Sequence, residues 1–313
     1  MPNLIRNRRI LQPSTTFTPL LDTYGTGVKS AWSMRKLKGS ATSPFRVRRG
    51  SDSVEMDVGF VGQEADTAGM LNFLAGSDGF ITTIYDQSGN AQHLTQTSVT
   101  AQFKIANAGV LVTENNKAFN SADGVNDFMS VNSSTAYYKF LHDGTADYYI
   151  FSVQKFGTTS NPDTRYTLLC SASATTAVGK WLLYDDRSGS ANNNAVSGII
   201  YRGVSSTTAA TSMTQNAINP NQLMQMTTVG SPGNATAADR LYWHINSGAA
   251  LKSNVSTSTV STANATADLR VGATNAGSVL FLGGIGEIIM YTGDMSANRA
   301  SIEANQKTYW GTP

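Results

Sequence analysis

Polar and apolar residues alternate with period two along much of this chain, a pattern that predicts strands with one buried face. Phe45 to Arg49 alternates apolar and basic residues, and Ile81 to Tyr85 is β-branched or aromatic throughout. Beyond Thr95, polar turns separate nine further strand candidates: Val110 to Thr113, Tyr148 to Val153, Tyr166 to Cys170, Trp181 to Tyr184, Ile199 to Tyr201, Leu223 to Val229, Leu241 to Ile245, Leu269 to Val271 and Gly286 to Tyr291. So many strands without alternating helices predict an all-β fold of two packed antiparallel sheets.

Two segments depart from this pattern and predict helices. Residues 64 to 75 allow a short helix capped by Asp66 or Thr67. Ser296 to Trp310 is rich in helix formers, begins with a serine suited to capping and is followed by Gly311. The side of this second helix that is predicted to lie on the sheet consists of Met295, Ile302, Gln306 and Tyr309.

The chain divides into an arm and one domain. Residues 1–20 contain three prolines among serines and threonines, which predicts an extended arm. Residues 21–313 form a single sandwich domain in this interpretation. The polar tracts 189–195, 205–216 and 253–264 are predicted to be surface loops because they are rich in Ser, Thr, Ala and Asn. They are too short to be linkers between domains.

Composition excludes several classes of protein. No apolar run of about 18 residues exists, which excludes a membrane-spanning helix. The start of the sequence also lacks the continuous apolar segment that a secretory signal requires. We therefore expect a protein made in a cytoplasm, without membrane insertion. Cys170 is the single cysteine, so it is expected to be a buried thiol. The scattered His93, His142 and His244 predict neither a metal site nor a catalytic triad, and no cofactor is expected.

Charge is distributed unevenly along the chain. The net charge is +2, but residues 1–50 hold ten basic side chains against the single acid Asp22, giving +9 and leaving −7 for the remainder. This asymmetry indicates either an arm that meets an acidic partner or a basic face that is neutralised within the fold. Nucleic acid is an unlikely partner, since the basic residues are not interleaved with stacking aromatic residues.

Two polar segments are candidates for binding. Asp86, Ser88 and Asn90 follow the strand that ends at Tyr85, and they could brace a loop or offer oxygens to calcium or a sugar. Bracing is favoured because the segment has only one carboxylate. The candidates for glycan binding are Trp181, Tyr184, Asp185, Asp186 and Arg187, which combine aromatic rings with polar groups, although core packing is the alternative for Trp181.

The sequence also resembles known families. FRVRRGSDS (45–53) and ITTIYDQSGNAQHLTQ (81–96) resemble the catalytic domain of family-54 α-L-arabinofuranosidases, whose fold is a concanavalin A-like jelly roll. The longer pattern from residue 20 through YDQSGN to the terminal IGEIIMYTGDMSANRASIEANQKTYW is similar to LamG-like sandwich proteins of tailed bacteriophages. Both resemblances imply a concanavalin A-like jelly-roll sandwich, to which the residues themselves add an extended N-terminal arm and a short C-terminal helix.

The first resemblance also implies where catalytic carboxylates belong. Retaining glycosidases use two carboxyl groups about 5 Å apart. The resemblance places Arg187 at the position of the nucleophile, with Asp185 and Asp186 as neighbours that could substitute for it. The segment 272–275 stands where the acid belongs and has no carboxylate. The vicinal cysteine pair of that family is excluded by a single cysteine. The expectation that follows is a protein without enzymatic activity.

The resulting hypothesis is a structural virion protein of a tailed bacteriophage, a capsid decoration or a component of a head or tail fibre. Arg6, Arg8 and Arg9 would dock the arm on other virion proteins, and the lectin-like sandwich would be displayed outward, where it could bind host-surface glycans. A homo-oligomer is expected because such an arm needs a neighbour to hold. The alternatives are a glycoside hydrolase related to α-L-arabinofuranosidases and a free lectin.

Overall fold

The protein was analysed in a computed structural model. The structure describes residues 17–157, 163–174, 177–187, 192–201, 210–214, 217–253, 255 and 260–313. Within these ranges, side chains are described except at 163–164, 183–187, 192–193 and 210–213.

Short strands dominate the structure, as the alternating sequence pattern predicts. The helices are α1 (Leu20–Tyr24), α2 (Thr67–Leu74) and α3 (Ser296–Trp310), with 3-10 turns at Tyr137–Leu141 and Ala237–Asp239. The strands before residue 135 are β1 (Val28–Ser33), β2 (Phe45–Arg49), β3 (Glu55–Val58), β4 (Phe60–Val61), β5 (Glu64–Ala65), β6 (Gly79–Ile84), β7 (Leu94–Thr95), β8 (Lys104–Asn107), β9 (Val110–Leu111), β10 (Thr113–Glu114), β11 (Lys117–Ala118), β12 (Ala122–Asp123) and β13 (Met129–Ser130). Those that follow are β14 (Tyr148–Phe156), β15 (Asp163–Cys170), β16 (Gly179–Arg187), β17 (Asn192–Tyr201), β18 (Ala210–Thr214), β19 (Leu223–Gly230), β20 (Leu241–Ile245), β21 (Leu251–Lys252), β22 (Arg270–Val271) and β23 (Leu282–Thr292).

Two antiparallel sheets form the body of the fold. Among the described residues, the smaller sheet has the strand order β1-β23-β14-β19-β20-β21, with β12 also paired to β23. The larger sheet has the order β18-β17-β16-β15-β22-β13-β7-β6-β2-β3, and β8 and β9 extend from β6. The all-β sandwich with a short C-terminal helix is therefore confirmed.

The core lies between the two sheets. Phe45 and Ile81 of the larger sheet share one buried cluster with Ile150 and Ile288 of the smaller sheet. Alternate residues of β14 and β23 form a second buried cluster with Leu21 of α1 and Ile302 of α3. Helices thus cover the outer face of the smaller sheet, which explains why these two strands are apolar on both faces. The two pockets that concern us lie on the larger sheet.

The glycine run 283–286 permits unusually close packing. A Cβ on Gly284 would lie 2.2 Å from the Asn120 carbonyl oxygen, and one on Gly286 would lie 2.7 Å from the Trp310 ring. Only residues without a Cβ let these groups approach so closely.

Both predicted helices are confirmed, with one detail of capping different. The Asp66 carboxylate accepts a hydrogen bond from the Gly69 N–H at the start of α2. At α3, Gly311 adopts the left-handed conformation just past the end, as predicted. The N-terminal acceptor is not Ser296, however: the Asp294 carboxylate accepts from the Ser296 N–H at 2.8 Å and from its hydroxyl at 3.1 Å.

Two of the three polar tracts predicted to be loops contain strands. Residues 192–195 belong to β17, and residues 210–214 form β18 at the edge of the larger sheet. Small polar residues favour turns on propensity alone, but cross-strand pairing overrides propensity when a neighbouring strand is in register. Val196 pairs with Thr214 in this way.

Several basic residues of the N-terminal segment form ion pairs within the fold. Arg46 pairs with Asp57 at 2.7 Å, and Arg49 pairs with Asp52 at 2.7 Å. Arg48 is buried and donates to the Gln102 side chain. These contacts support the second explanation of the charge asymmetry. Arg6, Arg8 and Arg9 lie outside the described residues, so the division into an arm and a body stays a prediction.

Candidate functional site

A pocket opens on the larger sheet where β15, β16 and β17 run side by side. Its volume is about 310 Å³, at the small end of the usual range for ligand sites, about 300–1,000 Å³. We call it the Trp181 pocket. Its lining consists of Arg165, Cys170, Ala172, Ser173, Ala174, Trp181, Tyr201, Thr274, Ala276, Ser278 and Val279.

Strand alternation explains how these residues reach the outer face. Leu182 and Ile200 point into the core between the sheets, so their neighbours Trp181 and Tyr201 point the other way. Trp181 pairs with Cys170 across the strands, and both belong to a small apolar cluster beneath the pocket. The pocket therefore has a floor built from the non-core face of the sheet.

The floor is fixed by specific contacts. The Trp181 indole N–H donates to the Thr167 hydroxyl at 2.9 Å, which holds the ring in one orientation. Burial raises the pKa of the Cys170 thiol, which favours its uncharged form. Burial also raises the pKa of Tyr201 to about 12. The floor consequently presents uncharged groups and aromatic surface, which suits a sugar ring.

One wall is a turn that follows β22. The Thr274 hydroxyl accepts hydrogen bonds from the N–H groups of Ser278 and Val279. The Asn275 amide donates to the backbone carbonyls of Cys170 and Ala172, tying the turn to β15. The segment 272–275 and the strand carrying Trp181 thus meet at one pocket, although about 90 residues separate them in the chain.

Arg165 supplies the cation at the pocket. Its guanidinium carbon lies 5.5 Å from the centre of the Trp181 ring, within cation–π range. The backbone of Arg165 pairs directly with that of Asp185 on β16. Asp185 and Asp186 are therefore on a strand that begins in the pocket floor.

Of the predicted glycan-binding residues, the structure places Trp181 in the pocket at 6% exposure. The side chains of Tyr184, Asp185, Asp186 and Arg187 lie outside the described part of the structure, so their role stays a prediction. None of the described lining residues carries a carboxyl group. Sequence reasoning missed Arg165 and Tyr201 as pocket residues. One predicted strand begins at Tyr166, directly after Arg165, and another ends at Tyr201.

The other candidate groups act as structural residues or form no metal site. His142 and His244 each bond a backbone carbonyl, as expected of loop and strand histidines. Within the described ranges, no three His, Cys, Asp or Glu side chains are placed to hold a metal ion, and no helix is long and apolar enough to cross a membrane.

The polar loop after Tyr85 is braced, as predicted. The Asp86 carboxylate accepts from the Ala31 N–H, from the N–H and hydroxyl of Ser88, and from the Gln92 N–H. The loop therefore closes around a carboxylate whose acceptor capacity is used by the protein itself.

Comparison with known proteins decides the family. The model of the family described as alpha-L-arabinofuranosidase B, catalytic, matches residues 20–179, just over half of the chain. This chain belongs to that family. It is 31% identical over 132 residues to alpha-L-arabinofuranosidase B of Penicillium canescens, a match covering 41% of this chain and 25% of the relative. A probable alpha-L-arabinofuranosidase B of Aspergillus terreus is 32% identical over 131 residues, covering 40% and 24%. The matched region thus spans about a quarter of these curated relatives.

Solved structures show the same fold over most of the chain. An arabinofuranosidase in complex with arabinofuranosyl-α-1,2-xylobiose superposes with a TM-score of 0.66 at 18% identity, covering 92% of this chain and 64% of that one. A family-54 α-L-arabinofuranosidase soaked with a cyclic sulfate inhibitor gives 0.63 at 17% identity, with the same coverage. The jelly-roll sandwich of the family is therefore shared outside the region of sequence similarity.

These findings correct the functional prediction. The hypothesis of a bacteriophage virion protein is wrong, because the family is that of an arabinofuranosidase catalytic domain and the relatives that it matches are fungal arabinofuranosidases. The predicted virion location and the prediction of a non-enzyme are wrong for the same reason. The charge asymmetry gave that hypothesis undue weight, since basic residues such as Arg46 and Arg49 are paired within the fold.

Proposed function

We propose that this chain is a glycoside hydrolase domain that binds an α-L-arabinofuranosyl group in the Trp181 pocket and hydrolyses its glycosidic bond. The observation that carries the proposal is the family match, which ends at residue 179, where β16 enters the pocket. The pocket adds a suitable floor, because Trp181 and Tyr201 offer aromatic surface without a net charge.

The substrate class rests on the relatives. One structural neighbour was solved with arabinofuranosyl-α-1,2-xylobiose and another was soaked with 4-nitrophenyl α-L-arabinofuranoside. A pocket of about 310 Å³ suits one sugar residue better than a long chain. The proposed substrate is therefore a terminal arabinofuranosyl side group, with the rest of the glycan outside the pocket.

One of the two carboxylates that such chemistry requires is proposed to be Asp185 or Asp186. Glycoside hydrolysis through an oxocarbenium-like transition state normally uses two carboxyl groups. The described pocket lining has none. Asp185 and Asp186 follow Trp181 on the same strand, and Asp185 is in backbone register with the pocket residue Arg165.

The test separates binding from hydrolysis. Release of 4-nitrophenol from 4-nitrophenyl α-L-arabinofuranoside measures hydrolysis, and calorimetric titration with L-arabinose measures binding. Trp181→Ala should abolish hydrolysis and remove the arabinose binding that belongs to this pocket, since it deletes the floor. One of the variants Asp185→Asn and Asp186→Asn should retain binding and lower turnover by about 10²-fold or more, and the other should not.

Asp239→Asn is the matched control, because it also removes a carboxylate but one paired with Lys252 on the surface. It should leave both measurements unchanged. Arabinose binding without any release of 4-nitrophenol would overturn the hydrolase and leave a sugar-binding domain. Turnover unaffected by both Asp185→Asn and Asp186→Asn would exclude these two residues as the catalytic groups.

A further inference from the structure

We propose that a second cleft, where the loop after β6 meets the segment before β2, is a binding site for a neutral sugar. The cleft has a volume of about 390 Å³ and shares no lining residue with the Trp181 pocket. Its wall includes Ser40 and Thr42 on one side and Tyr85 and His93 on the other. Several hydroxyl groups and two aromatic rings therefore surround one space.

His93 contributes a hydrogen-bond donor of fixed position. The backbone N–H of Asp86 donates to Nδ1 of His93 at 3.0 Å, so the neutral ring carries its proton on Nε2. The ring packs edge-to-face against Tyr85, with 5.3 Å between ring centres. Among the described residues, Nε2 has no hydrogen-bonded partner and is not sealed from solvent. The Nε2–H is thus available to a ligand in the cleft.

The two carboxylates beside the cleft are already paired within the protein. The Asp57 carboxylate accepts from the Arg46 guanidinium at 2.7 and 2.9 Å and from the Tyr85 hydroxyl at 2.6 Å. The Asp86 carboxylate accepts from four donors of the protein. A metal cation would therefore have to displace these donors. Hydroxyl and N–H groups beside two carboxylates that are already paired favour a neutral polyhydroxylated ligand.

The cleft is also rigid. The Gln87 side chain, at the base of the loop, accepts from the Leu37 N–H at 2.7 Å and donates to the carbonyls of Ser33 and Arg35. These bonds fasten the loop to the end of β1. A wall that is ordered before binding loses little conformational entropy when a sugar arrives, which favours binding. Only the choice of arabinose and xylobiose as probes rests on the proposed function, whereas the preference for a neutral sugar rests on the cleft.

The three histidines of the chain make a site-resolved experiment possible. In protein labelled with ¹⁵N-histidine, each imidazole gives its own nuclear magnetic resonance signals. His142 is fully buried and His244 is 7% exposed, so neither should respond to a sugar. Titration with xylobiose or L-arabinose should shift the Nε2 signal of His93 saturably, and the free protein should show the Nε2–H tautomer for this ring.

Two variants test the location. Thr42→Val keeps the shape of an exposed side chain and removes a hydroxyl of the cleft, so it should weaken the titration at His93 about threefold to tenfold. Trp181→Ala should leave it unchanged. No shift at His93 up to the solubility of both sugars, or an unaltered affinity in Thr42→Val, would overturn the site. Tighter binding of galacturonate would overturn the preference for a neutral sugar and point to Lys38, whose ammonium group bonds the Ser88 carbonyl beside the cleft.

The result is independent of hydrolysis. If the protein is inactive but its His93 signal still shifts, the proposed function is wrong and this site stands. If the protein is active but its His93 signal does not shift, the proposed function stands and this site is wrong.

Discussion

Arg35 and Glu287 form an ion pair inside the protein, with 2.7 Å between Nε and Oε2 and with both side chains at most 1% exposed. A second bond joins the guanidinium to Oε1 at 3.0 Å. Ser33, Gln306 and Trp310 also donate to the carboxylate, so it is satisfied from β1, from the segment after β1 and from α3. The pair links β1, β23 and α3.

We expect Glu287→Gln to destabilise the protein by about 3–5 kcal/mol, because Arg35 would keep a buried charge without a partner. The double variant Arg35→Met with Glu287→Gln should recover part of the loss. Chemical denaturation of the three variants measures both effects. Equal losses in the single and the double variant would show that the unpaired charge is not the cause.

The same pair predicts acid sensitivity. Burial alone would raise the pKa of Glu287, but the ion pair with Arg35 and the hydrogen bonds outweigh burial and hold the pKa below its usual value of 4.5. Since the folded state binds the proton less readily than the unfolded chain, the stabilisation is present above about pH 4.5 and is lost as the pH falls through the lowered pKa. Unfolding free energy measured below pH 4.5 should fall less steeply in the double variant.

Lys180 predicts a further rise in stability with pH, in the alkaline range. Its ammonium group is buried in the core without a hydrogen-bond partner among the described residues, near the ring of Tyr148. Burial lowers its pKa from 10.5 to about 7. The unfolded chain therefore binds an extra proton between these values, so stability should rise with pH from about 7 to 10.5.

Lys180→Met should stabilise the protein at pH 7 and below by about 4 kcal/mol, the order of magnitude that a shift of this size represents. It should also abolish the rise in stability between pH 7 and 10.5. Thermal unfolding over this range measures both. Lys155→Met is the control, since Lys155 is partly exposed and paired with Glu114. A rise in stability that persists in Lys180→Met would assign it to another group.

Gly283 should not tolerate a side chain. A Cβ at this position would lie 2.0 Å from the Lys155 carbonyl oxygen, and φ is +128°. We expect Gly283→Ala to cost about 2–4 kcal/mol from strain and overpacking together. Gly62→Ala is the matched control, with φ at +62° and nothing within 4 Å, so it tests strain alone. Similar melting temperatures for the two variants would contradict the packing argument.

Arg165 should contribute to sugar binding without holding the fold. Its guanidinium lies against the Trp181 ring and its side chain is only partly buried. Arg165→Met should keep the apolar contact and weaken arabinose binding about threefold to tenfold through the loss of a donor. Arg240→Met is not a suitable control, because Arg240 bonds three backbone carbonyls. Arg46→Met, at the exposed Asp57 pair, should leave binding in the Trp181 pocket unchanged.

The sequence predicts the sandwich well because its signals are local. Strand β2 and helix α3 have the predicted limits, since alternation and terminal residues determine them. Residues 210–214 were misassigned because their polar side chains suit a turn equally well, and only pairing with β17 makes them a strand. Pairing partners of this kind are not visible in a single sequence.

The pocket was harder to predict because distant segments form it. Trp181 was a candidate from its residue type, but its place on the outer face depends on the register with β15, which has a bulge between Thr167 and Leu169. Tyr201 and Thr274 come from other parts of the chain. Function is harder to predict for a different reason: an arginine at the expected nucleophile position argues against an enzyme, whereas the family match argues for one.

The loop 86–93 holds together parts that belong to different layers. It leaves β6 in the larger sheet, yet Asp86 and Gln87 bond the backbone of β1 and its continuation, at the edge of the smaller sheet. The segment is therefore a seam of the sandwich, and it is also the most recognisable stretch of the sequence. A substitution among these few residues would therefore loosen the contact between the two sheets as well as the loop itself.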